Sequence, residues 1–284
     1  MKTKHQEGIQ VPKAIIYVVK FVQFISEDLV TKLASRIFTS PIKHKIPKRE
    51  FEMERKTKQE TVFIPEIKKE IIVYHYGNGP KKVLLVHGWS GRGTQLVKFA
   101  EELIGLGYST ISFDAPAHGK SAGKTTLMPE FIASILELER LYGPFDYAIG
   151  HSLGGISLLN AVRQGLKIKK LVVIGSADKI SDIFDEFVKK LELKPIISKK
   201  MIAGFEKKFG VSMDDYSAHL AAQEVHIPTL VIHDENDYEV PVWCGKNIHK
   251  HLPDGTIFIT KKLGHRKILG DKNVISKTMD FIQN

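Results

Sequence analysis

From residue 60 onward, short apolar runs alternate with longer segments in which apolar residues recur at helical spacing. Several short runs are apolar throughout, which is typical of strands buried on both faces of a sheet. The pattern predicts eight strands, at Thr61–Ile64, Ile71–Tyr76, Val83–His87, Thr110–Asp114, Tyr147–Gly150, Leu171–Gly175, Thr229–His233 and Thr256–Thr260. It predicts intervening helices at Leu96–Leu106, Pro129–Tyr142, Leu153–Gln164, Trp243–His251 and Asn273–Ile282. We therefore expect an α/β domain over residues 60–284, with a mostly parallel, eight-stranded sheet flanked by helices.

One interval breaks this alternation. More than fifty residues separate the strand ending at Gly175 from the one starting at Thr229, which is too long for a simple crossover. The interval has helical spacing at Ile180–Leu191, Ile196–Phe209 and Tyr216–Gln223. Helices inserted at the carboxyl edge of a parallel sheet are well placed to cover a site there. We expect a small helical lid at about 179–227.

The first 59 residues have a different pattern. From Ala14 to Phe38 an apolar stripe predicts an amphipathic helix, formed by Ile15, Val18, Val22, Ile25, Leu29, Leu33 and Ile37. Five charged residues interrupt this segment, so it lacks the ~18 uncharged residues of a spanning helix or the clean core of a signal peptide. We expect the stripe to cover the body of the protein or a second subunit in a homodimer, and weak contact with a membrane surface is the alternative. The basic run from Pro41 to Lys58 is interpreted as a linker or exposed arm.

Composition and charge restrict the classes of partner and cofactor that we expect this protein to bind. The chain has 42 basic and 32 acidic residues, and its first 60 residues hold 13 basic and 7 acidic ones, so the excess is mostly N-terminal. No recognition motif accompanies it, so we expect no nucleic acid partner. The single cysteine, Cys244, cannot form an internal disulfide, and the histidines lack the spacing of metal ligands. We expect a cytoplasmic protein without metal or cofactor.

The candidate chemistry begins at Gly150-His151-Ser152-Leu153-Gly154. This Gly-x-Ser-x-Gly sequence follows a predicted strand and opens a predicted helix, the context in which the motif is informative. Glycine fits two residues before and after the serine because neighbouring chain segments crowd the sharp turn. The turn exposes the hydroxyl while the helix N-terminus directs backbone N–H groups at any anion formed there. Ser152 is therefore the candidate nucleophile.

A serine nucleophile needs a base, and the base needs an orienting carboxylate. His265 follows the last predicted strand, and Asp237 lies in the loop after the strand before it, so both fit the chain order serine, acid, histidine. Asp237 is preferred because Asp234 is close to the strand end and Glu239 is near the next helix. Asp178, after an earlier strand, remains the alternative acid.

Together these residues resemble the α/β-hydrolase superfamily. The resemblance covers roughly residues 60–284 and includes His87-Gly88-Trp89, the segment from Asp114 to Ser121, the Ser152 elbow, Asp237 with Val240-Pro241, and Gly264-His265. It implies Ser152 as nucleophile, His265 as base and Asp237 as its partner. It also implies that the backbone N–H groups of Trp89 and Leu153 form the oxyanion hole.

The expected activity is that of a carboxylesterase-like serine hydrolase on a small-molecule acyl substrate. Serine at the elbow favours an acyl-enzyme, hence cleavage of an ester, thioester or amide. Acyl transfer to another acceptor and a non-catalytic, ligand-binding hydrolase fold remain alternatives. His87, His118 and His151 are expected to hold loop geometry by hydrogen bonds.

A rival from another class lies at His118 to Thr125. The segment ends like a phosphate-binding loop, Gly-x-x-x-x-Gly-Lys-[Ser/Thr], but His118 replaces its first glycine. The same residues are already part of the hydrolase-like loop. We expect no nucleotide binding there.

Overall fold

A computed structural model describes residues 11–284 of the chain. Its eight strands form one sheet and have the bounds β1 Lys58–Ile64, β2 Lys69–Tyr76, β3 Lys82–Val86, β4 Ser109–Asp114, β5 Tyr147–His151, β6 Lys170–Ile174, β7 Thr229–Asp234 and β8 Gly255–Thr260. The strand order is β1-β2-β4-β3-β5-β6-β7-β8. The β1–β2 and β2–β4 pairs are antiparallel and the remaining pairs are parallel. The predicted sheet is confirmed.

Twelve α-helices lie within the described residues. Their bounds are α1 Lys13–Ile25, α2 Glu27–Phe38, α3 Phe51–Lys56, α4 Val97–Gly105, α5 Met128–Tyr142, α6 Leu153–Arg163, α7 Ile180–Lys190, α8 Ile196–Phe209, α9 Ala218–Gln223, α10 Val242–His251, α11 Gly264–Lys267 and α12 Lys272–Gln283. In the part of the chain that the structure describes, no helix is both long and apolar enough to cross a membrane.

The core lies on both faces of the sheet, because successive side chains of a buried strand point to opposite faces. In β3, Val83 and Leu85 join the cluster that includes apolar residues of α4 and α12. Leu84 and Val86 join the other cluster, which includes residues of α5, α6 and the helical insertion. A strand with two covered faces is therefore mostly apolar in sequence, as the continuous apolar runs indicated.

The N-terminal segment forms two helices where the sequence pattern predicted one. Ser26 is extended, with φ −161° and ψ 126°, and its hydroxyl accepts a hydrogen bond from the Leu29 N–H at the start of α2. Glu27 and Asp28 occupy the first turn, where carboxylates interact favourably with the helix dipole. A serine followed by two acidic residues is an N-terminal signal, and it interrupts the helix between Ala14 and Phe38.

The break changes which residues of the predicted stripe are covered. Ile15, Val22, Leu33 and Ile37 pack against the main core, whereas Val18, Ile25 and Leu29 are more than half exposed. The residues buried completely are Val19, Val30 and Ala34. The stripe is thus covered only in part by the body.

The segment from Pro41 to Lys58, interpreted from sequence as a linker or exposed arm, contains ordered structure. A 3₁₀ turn at Lys48–Glu50 leads into α3, and the side chains of Glu50 and Met53 are buried. The sequence interpretation therefore fails for this part of the segment, and the physical reason is an ion pair described below.

The helical insertion between β6 and β7 contains α7, α8 and α9, at the predicted positions apart from the start of α9. Its phenylalanines pack around Phe38 of α2. The Phe38 ring is stacked on Phe184 with 4.4 Å between centroids and meets Phe187 edge-on at 5.1 Å. These side chains therefore contribute to packing between the insertion and α2.

Candidate active site

Ser152 lies at the turn between β5 and α6. Its backbone has φ 54° and ψ −119°, an unusual conformation for a residue with a side chain, and strain of this kind persists only where the surroundings enforce it. The Ser152 N–H donates to the Ile174 carbonyl at 2.8 Å, and the Ser176 hydroxyl donates to the Ser152 carbonyl at 2.8 Å. Contacts to β6 and the residues after it therefore hold the turn on both sides.

The two flanking glycines are required by close approach. A Cβ atom at Gly150 would lie 2.7 Å from the backbone of Gly154, and a Cβ atom at Gly154 would clash with the Val86 carbonyl. Any larger residue would have to push α6 away from the strands. The spacing of the motif thus reflects how tightly the helix start packs on β3 and β5.

The predicted acid and base meet at the same end of the sheet. Asp237 follows β7, and His265 lies in the short helix α11 after β8, so adjacent parallel strands bring them together. His265 Nδ1 lies 2.7 Å from Asp237 Oδ2, and both side chains are nearly buried. The other Asp237 oxygen accepts hydrogen bonds from the N–H groups of Glu239 and Val240, at 2.9 and 2.8 Å. The carboxylate is therefore fixed toward the histidine.

Asp234 has a role that the sequence analysis missed. Its carboxylate accepts hydrogen bonds from the N–H groups of Leu263 and Gly264 and from the Thr260 hydroxyl. Burial acts to raise the pKa of Asp234, but these hydrogen bonds lower it, and the net pKa lies below the ordinary value. Asp234 therefore anchors the segment that carries His265. The sequence contained one sign of this role: Asp234 ends β7, and the segment with His265 follows the next strand, β8.

The alternative acid, Asp178, lies elsewhere in the hydrogen-bond network. Its carboxylate accepts from the N–H and the Nδ1 of His219, both at 2.9 Å, and from the Asn247 side-chain amide at 2.6 Å. It is only 2% exposed. Asp178 therefore connects α9 and α10, and the residue that meets His265 is Asp237.

His151 links the Ser152 turn to the segment that carries His265. Its Nε2 donates to the His265 carbonyl at 2.9 Å, and the two rings lie 4.7 Å apart. Burial holds the pKa of His151 well below the ordinary value, so the ring is neutral and donates from Nε2. Within residues 11–284 the Ser152 hydroxyl donates no hydrogen bond to His265. Such bonds often tighten only when substrate is bound.

The loop after β3 lies directly against Ser152. A Cβ atom at Gly88 would approach Ser152 Cβ to 3.0 Å. Two neutral histidines stabilise this loop through hydrogen bonds. His87 Nε2 accepts a hydrogen bond from the Ala115 N–H at 3.0 Å. His118 Nε2 accepts a hydrogen bond from the Ser90 N–H at 3.0 Å. Burial lowers the pKa of both rings, that of His118 to about 4. The expectation that these histidines hold loop geometry is confirmed.

Two backbone N–H groups are available beside Ser152. In residues 11–284, neither the Trp89 N–H nor the Leu153 N–H donates a hydrogen bond to the protein. Leu153 begins α6, so its N–H belongs to the first turn, whose N–H groups lack helical partners. An oxygen anion formed near Ser152 is a suitable acceptor for both groups.

A buried ion pair connects the N-terminal segment to the same loop, and sequence reasoning did not find it. Glu50 Oε2 lies 3.0 Å from Arg92 Nη1 and accepts a hydrogen bond from the Thr94 hydroxyl at 2.7 Å. The Ile42 N–H donates to the Ser90 hydroxyl at 3.0 Å. We call residues 41–50 the strap. The strap and the loop that carries Trp89 are therefore held as one unit.

The segment that resembles a phosphate-binding loop does not have the required structure. Lys124 and Thr125 precede α5 by several residues and are exposed, whereas such a loop leads its lysine directly into a helix. Asp114, buried at the loop's start, accepts hydrogen bonds from the Gly93 and Lys120 N–H groups. The segment is part of the hydrolase-like scaffold.

Cys244 is buried, which raises the pKa of its thiol to about 12, as expected of an inert cysteine.

Comparisons with known proteins agree with this architecture. A family model described as serine aminopeptidase, S33, matches residues 78–194. The uncharacterized hydrolase YugF of Bacillus subtilis (strain 168) is 24% identical over 235 residues, covering 67% of this chain and 86% of that protein.

Solved structures give the same result. A bromoperoxidase from Bacillus anthracis matches with a TM-score of 0.63 at 20% identity, covering 80% of this chain and 100% of that chain. The esterase EaEST from Exiguobacterium antarcticum matches with a TM-score of 0.61 at 16% identity, with the same coverage. These likenesses show that the chain has the α/β-hydrolase fold. The matching family model and YugF are each described as hydrolytic enzymes.

Proposed function

We propose that this protein is a serine hydrolase that cleaves a carboxylic ester, or a related thioester or amide, through an acyl-enzyme on Ser152. The observation that carries the proposal is the Asp237–His265 contact of 2.7 Å beside a serine at a strained strand-to-helix turn. A carboxylate, an imidazole and a serine in this relation are the groups that nucleophilic acyl transfer requires.

In the first step, Asp237 accepts a hydrogen bond from the Nδ1–H of His265, which fixes the tautomer and leaves the Nε2 lone pair free to act as a base. His265 Nε2 removes the hydroxyl proton as Ser152 Oγ bonds to the acyl carbon. The carbonyl oxygen becomes an anion, which the N–H groups of Trp89 and Leu153 stabilise. As the intermediate collapses, the bond to the leaving group breaks and His265 protonates that group.

In the second step, His265 takes a proton from water while the water oxygen attacks the acyl carbon. The bond between that carbon and Ser152 Oγ then breaks, and the serine recovers its proton from His265. Asp237 stabilises the imidazolium in both steps. Asp234 and His151 act as positioning residues, because they hold the segment that contains His265.

Labelling with a fluorophosphonate probe tests the nucleophile. We expect Ser152→Ala to abolish labelling, because the probe reacts with an activated serine. The matched control is Ser157→Ala, which removes a hydroxyl of the same helix that is bonded to the Leu153 carbonyl. The control should label like the wild type. Labelling of Ser152→Ala at the wild-type level would assign the nucleophile to another residue.

A substrate panel then distinguishes the bond cleaved. We propose p-nitrophenyl esters of graded acyl length, compared with aminoacyl p-nitroanilides because the matching family model is described as an aminopeptidase. Turnover of the esters supports the ester proposal. Turnover confined to the anilides would assign the site to amide cleavage.

A further inference from the structure

The helix α1 exposes an apolar face that nothing in the described chain covers. Tyr17, Val18, Phe21, Phe24 and Ile25 are spaced as one face of a helix, and their exposed fractions are 70%, 55%, 66%, 90% and 60%. The opposite face, with Ile15, Val19 and Val22, packs against the core. The helix is apolar on both sides, and a contiguous exposed face of large side chains marks an interaction site.

The charges beside this face are predominantly positive. Its three nearby carboxylates are already paired: Glu192 with Lys20 at 2.8 Å, and Glu27 and Asp28 with Lys200 at 3.2 and 3.0 Å. Lys13, Lys32 and Arg36 are exposed and form no ion pair within residues 11–284. Lys13 lies one turn before Tyr17, on the same face of α1. Cations without an ion-pair partner within the described residues therefore lie on the exposed sides of both α1 and α2.

We propose that α1 is a docking surface for an anionic lipid bilayer. The helix lies in the plane of the membrane, with Tyr17, Phe21 and Phe24 at the boundary between headgroups and acyl chains. Lys13, Lys32 and Arg36 contact the headgroups, since basic residues near an anionic leaflet are attracted to it. This arrangement fits a helix that is too short to cross a membrane.

Charge is the reason for choosing a bilayer over a second copy of this chain. A symmetric contact through α1 would bring two equally basic helix pairs together, and like charges at an interface oppose association. An anionic bilayer accepts the aromatic side chains and neutralises the cations at the same time. Docking also needs no rearrangement, because the covered faces of α1 and α2 remain on the core.

Vesicle co-sedimentation of the full-length protein tests the proposal. The vesicles are phosphatidylcholine alone, and phosphatidylcholine with phosphatidylglycerol. We expect Phe21→Ser/Phe24→Ser to weaken binding to the anionic vesicles by more than about tenfold, because two exposed aromatic anchors are lost. The matched control is Phe51→Ser/Phe63→Ser, which removes two exposed phenylalanines outside α1 and should bind like the wild type.

A second pair of variants tests the cations. Lys13→Gln/Lys32→Gln should reduce binding to anionic vesicles, whereas the control Lys124→Gln/Lys246→Gln, which removes two exposed lysines elsewhere, should not. Thermal unfolding of every variant checks that a loss of vesicle binding is not a loss of folding. Because the assay measures binding and not catalysis, its outcome does not depend on the proposed hydrolase activity.

Three results would overturn the proposal. The first is a wild-type protein that stays in the supernatant with anionic vesicles. The second is binding that survives Phe21→Ser/Phe24→Ser, which would locate the lipid surface elsewhere. The third is a dimer in sedimentation equilibrium that dissociates in the same double variant, which would assign the α1 face to a second copy.

Discussion

Asp237 offers the sharpest test at the scale of single residues. Its two oxygens divide their contacts: one faces His265, and the other is held by two backbone N–H groups. We expect Asp237→Asn to lower kcat by about 10⁴-fold, because the amide favours the wrong histidine tautomer and does not stabilise the imidazolium. Steady-state kinetics on the best ester of the panel measures the effect.

The comparison variant is Asp178→Asn. Because Asp178 bonds His219 and Asn247, we expect this change to reduce stability while kcat changes far less than in Asp237→Asn. A large loss of kcat in Asp178→Asn, with Asp237→Asn fully active, would reverse the assignment of the acid.

The buried ring of His118 should make the free energy of unfolding depend on pH. Burial lowers the pKa of its ring to about 4 in the folded protein, against about 6.5 in the unfolded chain. Between these values the unfolded state binds a proton that the folded state does not, so the free energy of unfolding falls as the pH falls. We expect His118 to account for a loss of about 2 kcal/mol between pH 7 and pH 5. Urea denaturation at both pH values measures it.

The variant His118→Gln retains an acceptor for the Ser90 N–H and removes the titrating ring. It should be less sensitive to pH than the wild type, while the exposed-residue control His226→Gln should retain the full dependence. An unchanged pH dependence in His118→Gln would show that the ring does not titrate as its burial implies.

At the scale of elements, we test how much the strap contributes to the fold through its contact with the loop after β3. Glu50 is 1% exposed and pairs with Arg92, next to the loop that carries Trp89. We expect Glu50→Ala to cost about 3–5 kcal/mol, because it leaves a buried guanidinium without its partner. Because the loop is then held less firmly, kcat should fall as well. Urea denaturation and kinetics measure the two effects.

A neighbouring glutamate provides the control for Glu50. Glu52 forms an exposed pair with Lys56, and Glu52→Ala should leave the free energy of unfolding nearly unchanged. Replacing both members of the buried pair, as Glu50→Leu/Arg92→Met, should recover stability relative to Glu50→Ala. Equal costs for Glu50→Ala and Glu52→Ala would mean that the strap contributes little to the fold.

The sequence predicted the buried strands but not the helix α3, and the difference has a physical reason. The strands β3, β5, β6 and β7 are covered on both faces, so their composition alone identified them. The helix α3 is six residues long, and its sequence, Phe-Glu-Met-Glu-Arg-Lys, has no extended periodicity. It is ordered because Met53 enters the core and the preceding Glu50 meets Arg92, contacts that lie far away in the sequence.

At the scale of the whole molecule, the N-terminal helices are part of the folded body. Val19, Val30 and Ala34 are fully buried, and Phe38 packs on the phenylalanines of the insertion. We expect deletion of residues 1–40 to reduce the melting temperature and solubility, because it exposes the apolar side chains that these helices cover. Fluorophosphonate labelling of Ser152 should persist, since the elbow, Asp237 and His265 all lie in residues 60–284. An unchanged melting temperature would show that these helices do not contribute to stability.

The sequence by itself determined the class of fold and the candidates for catalysis, with the choice of acid left between Asp237 and Asp178. Apolar runs of strand length, glycines two residues on either side of Ser152, and the order of Ser152, Asp237 and His265 are local or ordered features, so they can be read along the chain. Only the tertiary structure decided that Asp237 rather than Asp178 meets His265 and that Asp234 and His151 hold the histidine segment. It also decided that Glu50 fixes the loop of Trp89 and that α1 leaves one apolar face uncovered. These outcomes depend on contacts between residues far apart in the sequence, whose partners and burial are set only when the sheet, the strap and the helical insertion pack together.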